Sequence, residues 1–72
     1  MYYVLAKKLL DHTVFVCGDE PGSATTVFTI DRAKRFESPS KALAFRAGIE
    51  WRWKSKFALH EFDGFLLHSL DV

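Results

Sequence analysis

The chain contains no asparagine, no glutamine and a single cysteine, and no stretch of it approaches the roughly 20 consecutive apolar residues of a membrane-spanning helix. Each absence removes a class of function. Without Asn or Gln the usual bidentate readers of adenine are missing, so any contact with nucleic acid would fall mainly on the backbone. With Cys17 alone, no disulfide can form within the chain, and a lone thiol fits a reducing compartment. Cys17 ends the run Val14-Phe15-Val16-Cys17 with no His or cation beside it to lower its pKa, so it reads as a small apolar core residue. The start Met1-Tyr2-Tyr3 lacks the charged flank and apolar stretch of a secretory signal, and the expected location is the cytoplasm. Gly18, Gly22, Gly48 and Gly64 stand at separate turns, which excludes a glycine-rich phosphate loop.

What is present is a composition that folds. At 72 residues, 49% hydrophobic and 15% aromatic, the chain is far from the polar composition of disordered segments and is expected to form one domain, residues 1–72. A core this small leaves little net stability, and such scaffolds often gain a second subunit. The net charge of +1 is unevenly spread: residues 31–56 carry eight Lys or Arg against three acids.

The first third reads as β structure. Tyr2 opens a run ending near Leu10, Asp11-His12 is turn-like, and Thr13 to Cys17 is rich in β-branched and aromatic residues. Gly18 to Ser23 gathers loop formers, and Thr25 to Ile30 has the composition of a third strand. Asp31 to Phe36 could form one helical turn capped by Asp31. The clearer helix start is Ser38 as N-cap with Pro39 at the first position. Ala42, Phe45 and Ile49 share one helical face, and Gly48 offers a stop. Beyond it Trp51, Trp53, Ser55, Phe57 and Leu59 alternate with Arg52, Lys54, Lys56, Ala58 and His60, which predicts a strand with indoles on one face and cations on the other. A three-residue loop Phe62-Asp63-Gly64 would pair Leu59 with Leu67 and Phe57 with Ser69, leading into a last strand from Phe65 to Leu70. The fold class expected is α+β: an antiparallel sheet of about five strands in the order β-β-β-α-β-β, with one main helix on one face.

The chemistry-bearing residues do not assemble into a local catalytic or metal motif. His12, His60 and His68 are widely spaced, with His60 and His68 expected to lie diagonally on one face of the last hairpin, so no closed metal site and no cofactor are expected. A domain this small rarely builds a cleft that excludes water, and an enzyme is not expected. Partner contact is the remaining class. The expected partner-binding residues are the basic stripe Arg52, Lys54 and Lys56, helped by Arg35 and Arg46, together with the aromatics Tyr2, Tyr3 and Phe62; Trp51 is a further exposed candidate.

Ala33-Lys34-Arg35-Phe36-Glu37-Ser38, followed by Ala42 and Phe45, resembles a module of short phage and prophage proteins: strands, then an A-K-R-F-x-S step into a helix whose Ala and Phe face the sheet. The match covers about a quarter of the chain, and the long loop at Gly18 to Ser23 and the tryptophans after the helix depart from it. The resemblance implies an accessory protein, acting in the host cytoplasm, that binds and redirects a host protein or ribonucleoprotein complex, as inhibitors of bacterial defence systems such as anti-CRISPR proteins do. Two alternatives stand beside it: a backbone-directed nucleic-acid binder using the same cations, and a homo-oligomeric structural subunit, for which a homodimer is the simplest form.

Overall fold

A computed structural model describes residues 1–53 and 56–70. Five strands, β1 (Tyr2–Lys8), β2 (Thr13–Cys17), β3 (Thr25–Val27), β4 (Ala58–Phe62) and β5 (Leu67–Ser69), form one antiparallel sheet in the order β3-β2-β1-β4-β5. Among the described residues one α-helix, α1 (Pro39–Trp53), packs on one face. The expected α+β class and element order therefore hold. No helix among the described residues is long and apolar enough to cross a membrane.

The strands form where side chains alternate between two buried environments. On the helix side Leu5, Val14, Val16 and Leu59 meet Phe36, Ala42, Phe45 and Ile49, with Tyr3 and Trp53 at the margin. The neighbouring residues Val4, Ala6 and Phe15 point to the other face, where Ile30 and Ala33 cover them in part. A short 3-10 turn, Ile30–Arg32, makes that cover and ends β3 three residues before the expected Ile30. It has no side-chain cap, so Asp31 does not start a helix there.

Residues 34–36 then wedge between β1 and β2 where the two strands part. Lys34 N–H donates to Val16 O at 2.8 Å, and Tyr3 and Phe36 exchange two backbone bonds of 3.0 and 2.8 Å. The helix begins as its cap predicts: Lys41 N–H donates to Ser38 Oγ at 3.3 Å, with Pro39 in the first position.

Its end differs from expectation. Gly48 does not stop the helix, and Trp51, Arg52 and Trp53 are its last turn instead of the start of a strand. The physical reason is the apolar stripe: Ala42, Phe45, Ile49 and Trp53 recur at spacings of three, four and four, and all four pack on the helix-side core. The alternation of Trp51 and Trp53 coincides with that stripe by chance. Gly48 serves close packing, since a Cβ built there would sit 2.7 Å from Pro21 Cβ and 2.8 Å from Pro21 Cγ, on the 3-10 turn Pro21–Ser23. Lys54 and Ser55, the middle of the expected cationic strand, lie outside the described residues.

The terminal hairpin also differs. His60 pairs with Ser69, Glu61 with His68 and Phe62 with Leu67, so the loop holds four residues, Asp63 to Leu66, and Leu59 faces Leu70 instead of Leu67. His60 and His68 consequently fall on opposite faces. The carboxylate of Asp63 sets this register: its Oδ1 accepts the backbone N–H groups of Phe65 and Leu66, both at 2.9 Å, and its Oδ2 lies 3.0 Å from His68 Nε2. The Leu66 amide, the His68 ring and the Phe65 amide together hold the Asp63 carboxyl well below the usual carboxylate range.

Two outcomes follow from these contacts. Gly48→Ala is expected to destabilise the protein by about 1–3 kcal/mol through overpacking against Pro21, although alanine ordinarily favours a helix by about 1 kcal/mol over glycine. In a Pro21→Gly background the same change is expected to turn neutral or stabilising. Urea denaturation of the four proteins measures both, and a gain of stability from Gly48→Ala alone would contradict the contact. The second outcome concerns pH. Because the Asp63 pKa is depressed by folding, its contribution is complete above the unfolded carboxyl range and is lost only as pH falls through its own lower value. The amide proton shifts of Phe65 and Leu66 should therefore titrate with an inflection well below about 3.9, the ordinary aspartate value, and Asp63→Ala should abolish that inflection.

Candidate functional site

With α1 occupying one side of the sheet, the opposite side is the surface that remains open to a partner. Cross-strand partners share a face, so Tyr2 and Phe62, Val4 and His60, and Ala6 and Ala58 form three successive rungs across β1 and β4 on that side. Phe62 and His60 continue to Leu67 and Ser69 on β5.

The first rung is aromatic. The rings of Tyr2 and Phe62 lie 5.4 Å apart at 51°, both half-buried, with Leu67 packed beside them. The exposed Arg35 places its guanidinium carbon 4.5 Å from the Tyr2 ring centre, a cation–π contact that holds the charge at the edge of the aromatic pair. Met1, one residue before Tyr2, is 82% exposed, and Phe65 and Leu66 in the hairpin loop are 91% and 64% exposed, so apolar groups flank this rung in sequence on both strands.

The middle rung is closed. Val4 is fully buried and His60 is 7% exposed, with His60 Nδ1 lying 3.0 Å from Ala58 O. The carbonyl oxygen can only accept, so Nδ1 is the donor in that bond. Beyond the last rung a groove of about 360 Å³ opens, lined by Ala6, Lys7, Lys8, Lys56, Ala58, His60 and Ser69.

Of the eight expected partner-binding residues the structure brings three together, Tyr2, Phe62 and Arg35. Tyr3 is turned to the other face, half-buried against the helix-side core, because strand alternation sets it opposite to Tyr2. Arg46 is committed within the fold: its Nη1 donates to Phe57 O at 3.1 Å and its Nε lies 3.6 Å from Glu50 Oε1, which ties the helix to the chain entering β4. The basic stripe does not exist as a strand face, since Arg52 is helical, Lys54 lies outside the described residues, and Lys56 precedes β4 in irregular chain.

Lys34 is likewise engaged, with its Nζ 5.6 and 5.4 Å from the ring centres of Phe36 and Phe45. Lys41 pairs with Glu37 at 3.1 Å on the exposed first turn of the helix. Leu67, Lys8 and Ser69 are the residues of this face that sequence reasoning missed, together with the buried His60 in the groove wall. For Leu67 and Ser69 the signal is the placement of the loop: at residues 63–66 instead of 62–64 it starts one residue later and ends two later, a register shift of three that sets Leu67 beside Phe62 and Ser69 opposite His60.

Among the described residues no three His, Cys, Asp or Glu side chains gather as a metal site. His12 contacts Asp11 and His68 contacts Asp63 as isolated exposed pairs. Cys17 is half-buried near the far edge of the sheet.

Compared with protein-family models, curated proteins and solved structures, the chain matches none.

Proposed function

We propose that this chain is a small non-enzymatic binding protein of phage accessory type that occupies a surface of a larger host protein or ribonucleoprotein complex and thereby modulates or blocks it, as defence-system inhibitors do. The observation that carries the reading is the convergence of Tyr2, Phe62 and Arg35 at one end of the sheet face that α1 leaves open. Tyr and Arg are enriched among the residues that dominate interface energetics, and the cation–π contact presents both in a fixed geometry. A partner settling there would bury the half-exposed rings together with the exposed Phe65 and Leu66, while Arg35 at the rim would steer an acidic patch into place. Nothing in this mechanism requires bond-making chemistry; it works by steric and electrostatic competition.

The test compares the immobilised protein with a variant carrying Arg35→Glu and Phe62→Ser, each challenged with a bacterial lysate and read by quantitative mass spectrometry. Circular dichroism first establishes that both are folded. A complex retained by the parent and depleted about tenfold on the variant is the expected result, the scale of a lost contact worth ~1.4 kcal/mol. Equal recovery of every retained species by the two proteins would refute the surface.

A further inference from the structure

A groove lies at the other end of the open sheet face, away from the aromatic rung. The β1–β4 register runs Tyr2↔Phe62, Val4↔His60, Ala6↔Ala58, and its next same-face rung would set Lys8 directly opposite Lys56. Strand pairing stops at Ala6↔Ala58, and Lys56 lies in irregular chain. Like charges in directly opposed cross-strand positions are destabilising. Both lysines are exposed and both line the same groove of about 360 Å³, with Lys7 at its rim, the Ser69 hydroxyl on β5 and the His60 ring in its wall. No carboxylate among the described residues lines it.

We infer that this groove is a phosphate-binding site in which an anionic phosphate bridges Lys8 and Lys56. A phosphate placed between two ammonium groups converts their repulsion into two charge-assisted hydrogen bonds. The Ser69 hydroxyl supplies a neutral donor from the third strand. Lysine suits this role because its compact ammonium acts as a point charge toward phosphate, without the planar fork that arginine needs. A phosphate monoester offers three strong acceptor oxygens and about −1.5 to −2 charge against the two oxygens and single charge of a carboxylate, while a diester can meet the two amines with one terminal oxygen each. The groove is open, so the phosphate can belong to a polynucleotide backbone or to a small phosphate, and the chemistry at the lysines is the same. The absence of Asn and Gln makes such a contact indifferent to sequence if a polynucleotide supplies it. The site does not rest on the Tyr2–Phe62 reading: Lys8 lies six positions from Tyr2 along β1, about 20 Å.

The experiment uses the full chain at low salt with three probes: fluorescein-labelled oligothymidylate read by anisotropy, and pyrophosphate and polyglutamate as competitors and as titrants read by amide shifts of His60 and Ser69. The variant is Lys8→Glu with Lys56→Glu, and the control of equal charge change is Arg32→Glu with Lys41→Glu. A milder Lys8→Ala, Lys56→Ala pair guards against misfolding. Pyrophosphate is expected to shift His60 and Ser69 in the parent and in the control but in neither groove variant. If the phosphate comes from a polynucleotide, oligothymidylate also binds, pyrophosphate displaces it, and the groove alanine pair weakens it about tenfold. Loss of two contacts at about 0.7 each also lowers the salt slope by about 1.4. If only pyrophosphate acts, the site stands and its source is a small phosphate. The inference is overturned if no phosphate probe moves His60 or Ser69, if groove and control variants lose binding equally, or if polyglutamate competes as well as pyrophosphate.

Discussion

One helix cannot cover both faces of a five-stranded sheet, and most features of this molecule follow from that geometry. The 15 residues of α1 make a rod about 22 Å long at 1.5 Å per residue. It fills one side, where Leu5, Val16 and Ile49 are 0% exposed. Among the described residues no α-helix covers the second side, yet its alternate residues Val4, Ala6, Phe15 and Val27 are apolar like those of the first. The chain answers in part with its own connection: after β3 it turns back so that Ile30 and Ala33 lie over Phe15 and Val27. That cover protects the β2–β3 half. The β1–β4–β5 half keeps its aromatic rung half-exposed at one end and an open groove at the other.

The wedge of residues 34–36 shows how covering one half shapes the other. By bonding to Tyr3 on one side and Val16 on the other, the segment spreads β1 from β2 and anchors the A-K-R-F run. Its four side chains then divide by alternation and chemistry. Ala33 joins the cover on the open side and Phe36 enters the helix-side core, where it meets Phe45 edge to face at 5.3 Å. Lys34 lies against those two rings, whereas Arg35 reaches Tyr2 on the open face. A strand-to-helix junction thus delivers one cation to the core edge and one to the candidate interface.

The parts of the fold legible in the sequence were those in which local and tertiary preferences agree. Ser38-Pro39 is a helix start by capping chemistry alone, and the tertiary structure has no reason to override it. Thr13 to Cys17 is a strand by composition and is buried as one. The misreadings fall where two periods fit the same residues. Trp51 and Trp53 satisfy a period of two, while Ile49 and Trp53 satisfy a helical step of four, and only the packing of Ile49 and Trp53 on the same core decides between them. Gly48 misled for a related reason: a glycine in a helix signals a stop unless another chain segment needs its missing side chain, and Pro21 lies 27 positions away in sequence. The hairpin register turned on where the loop lies: at residues 63–66 instead of 62–64 it shifts β5 by three positions, an odd number that reverses the face of every side chain in β5. The residue that fixes it, Asp63, was placed in the turn, but its bonds to the amides two and three residues on and to the histidine five residues on are invisible to parity.

The same revision changes what the positive charge means. Read as a strand, residues 52–56 formed one basic face, and eight cations between Asp31 and Lys56 looked like a single surface. Folded, Arg46 holds a carbonyl, Lys34 and Arg35 lie against rings, and Lys41 pairs with Glu37. Most of that local excess is spent on structure or dispersed over separate elements. The concentration that matters arises from residues distant in sequence: Lys7 and Lys8 end β1, and Lys56 enters β4 beside them. Charge density along a chain is therefore a poor guide to charge density in space when a helix interrupts the run. What survives of the sequence-level imbalance is one sheet face with an aromatic end and a cationic end, with the fully buried Val4 between them and His60, 7% exposed, in the wall of the cationic groove. The aromatic rung Tyr2–Phe62 and the cationic groove therefore occupy one small sheet without sharing a residue.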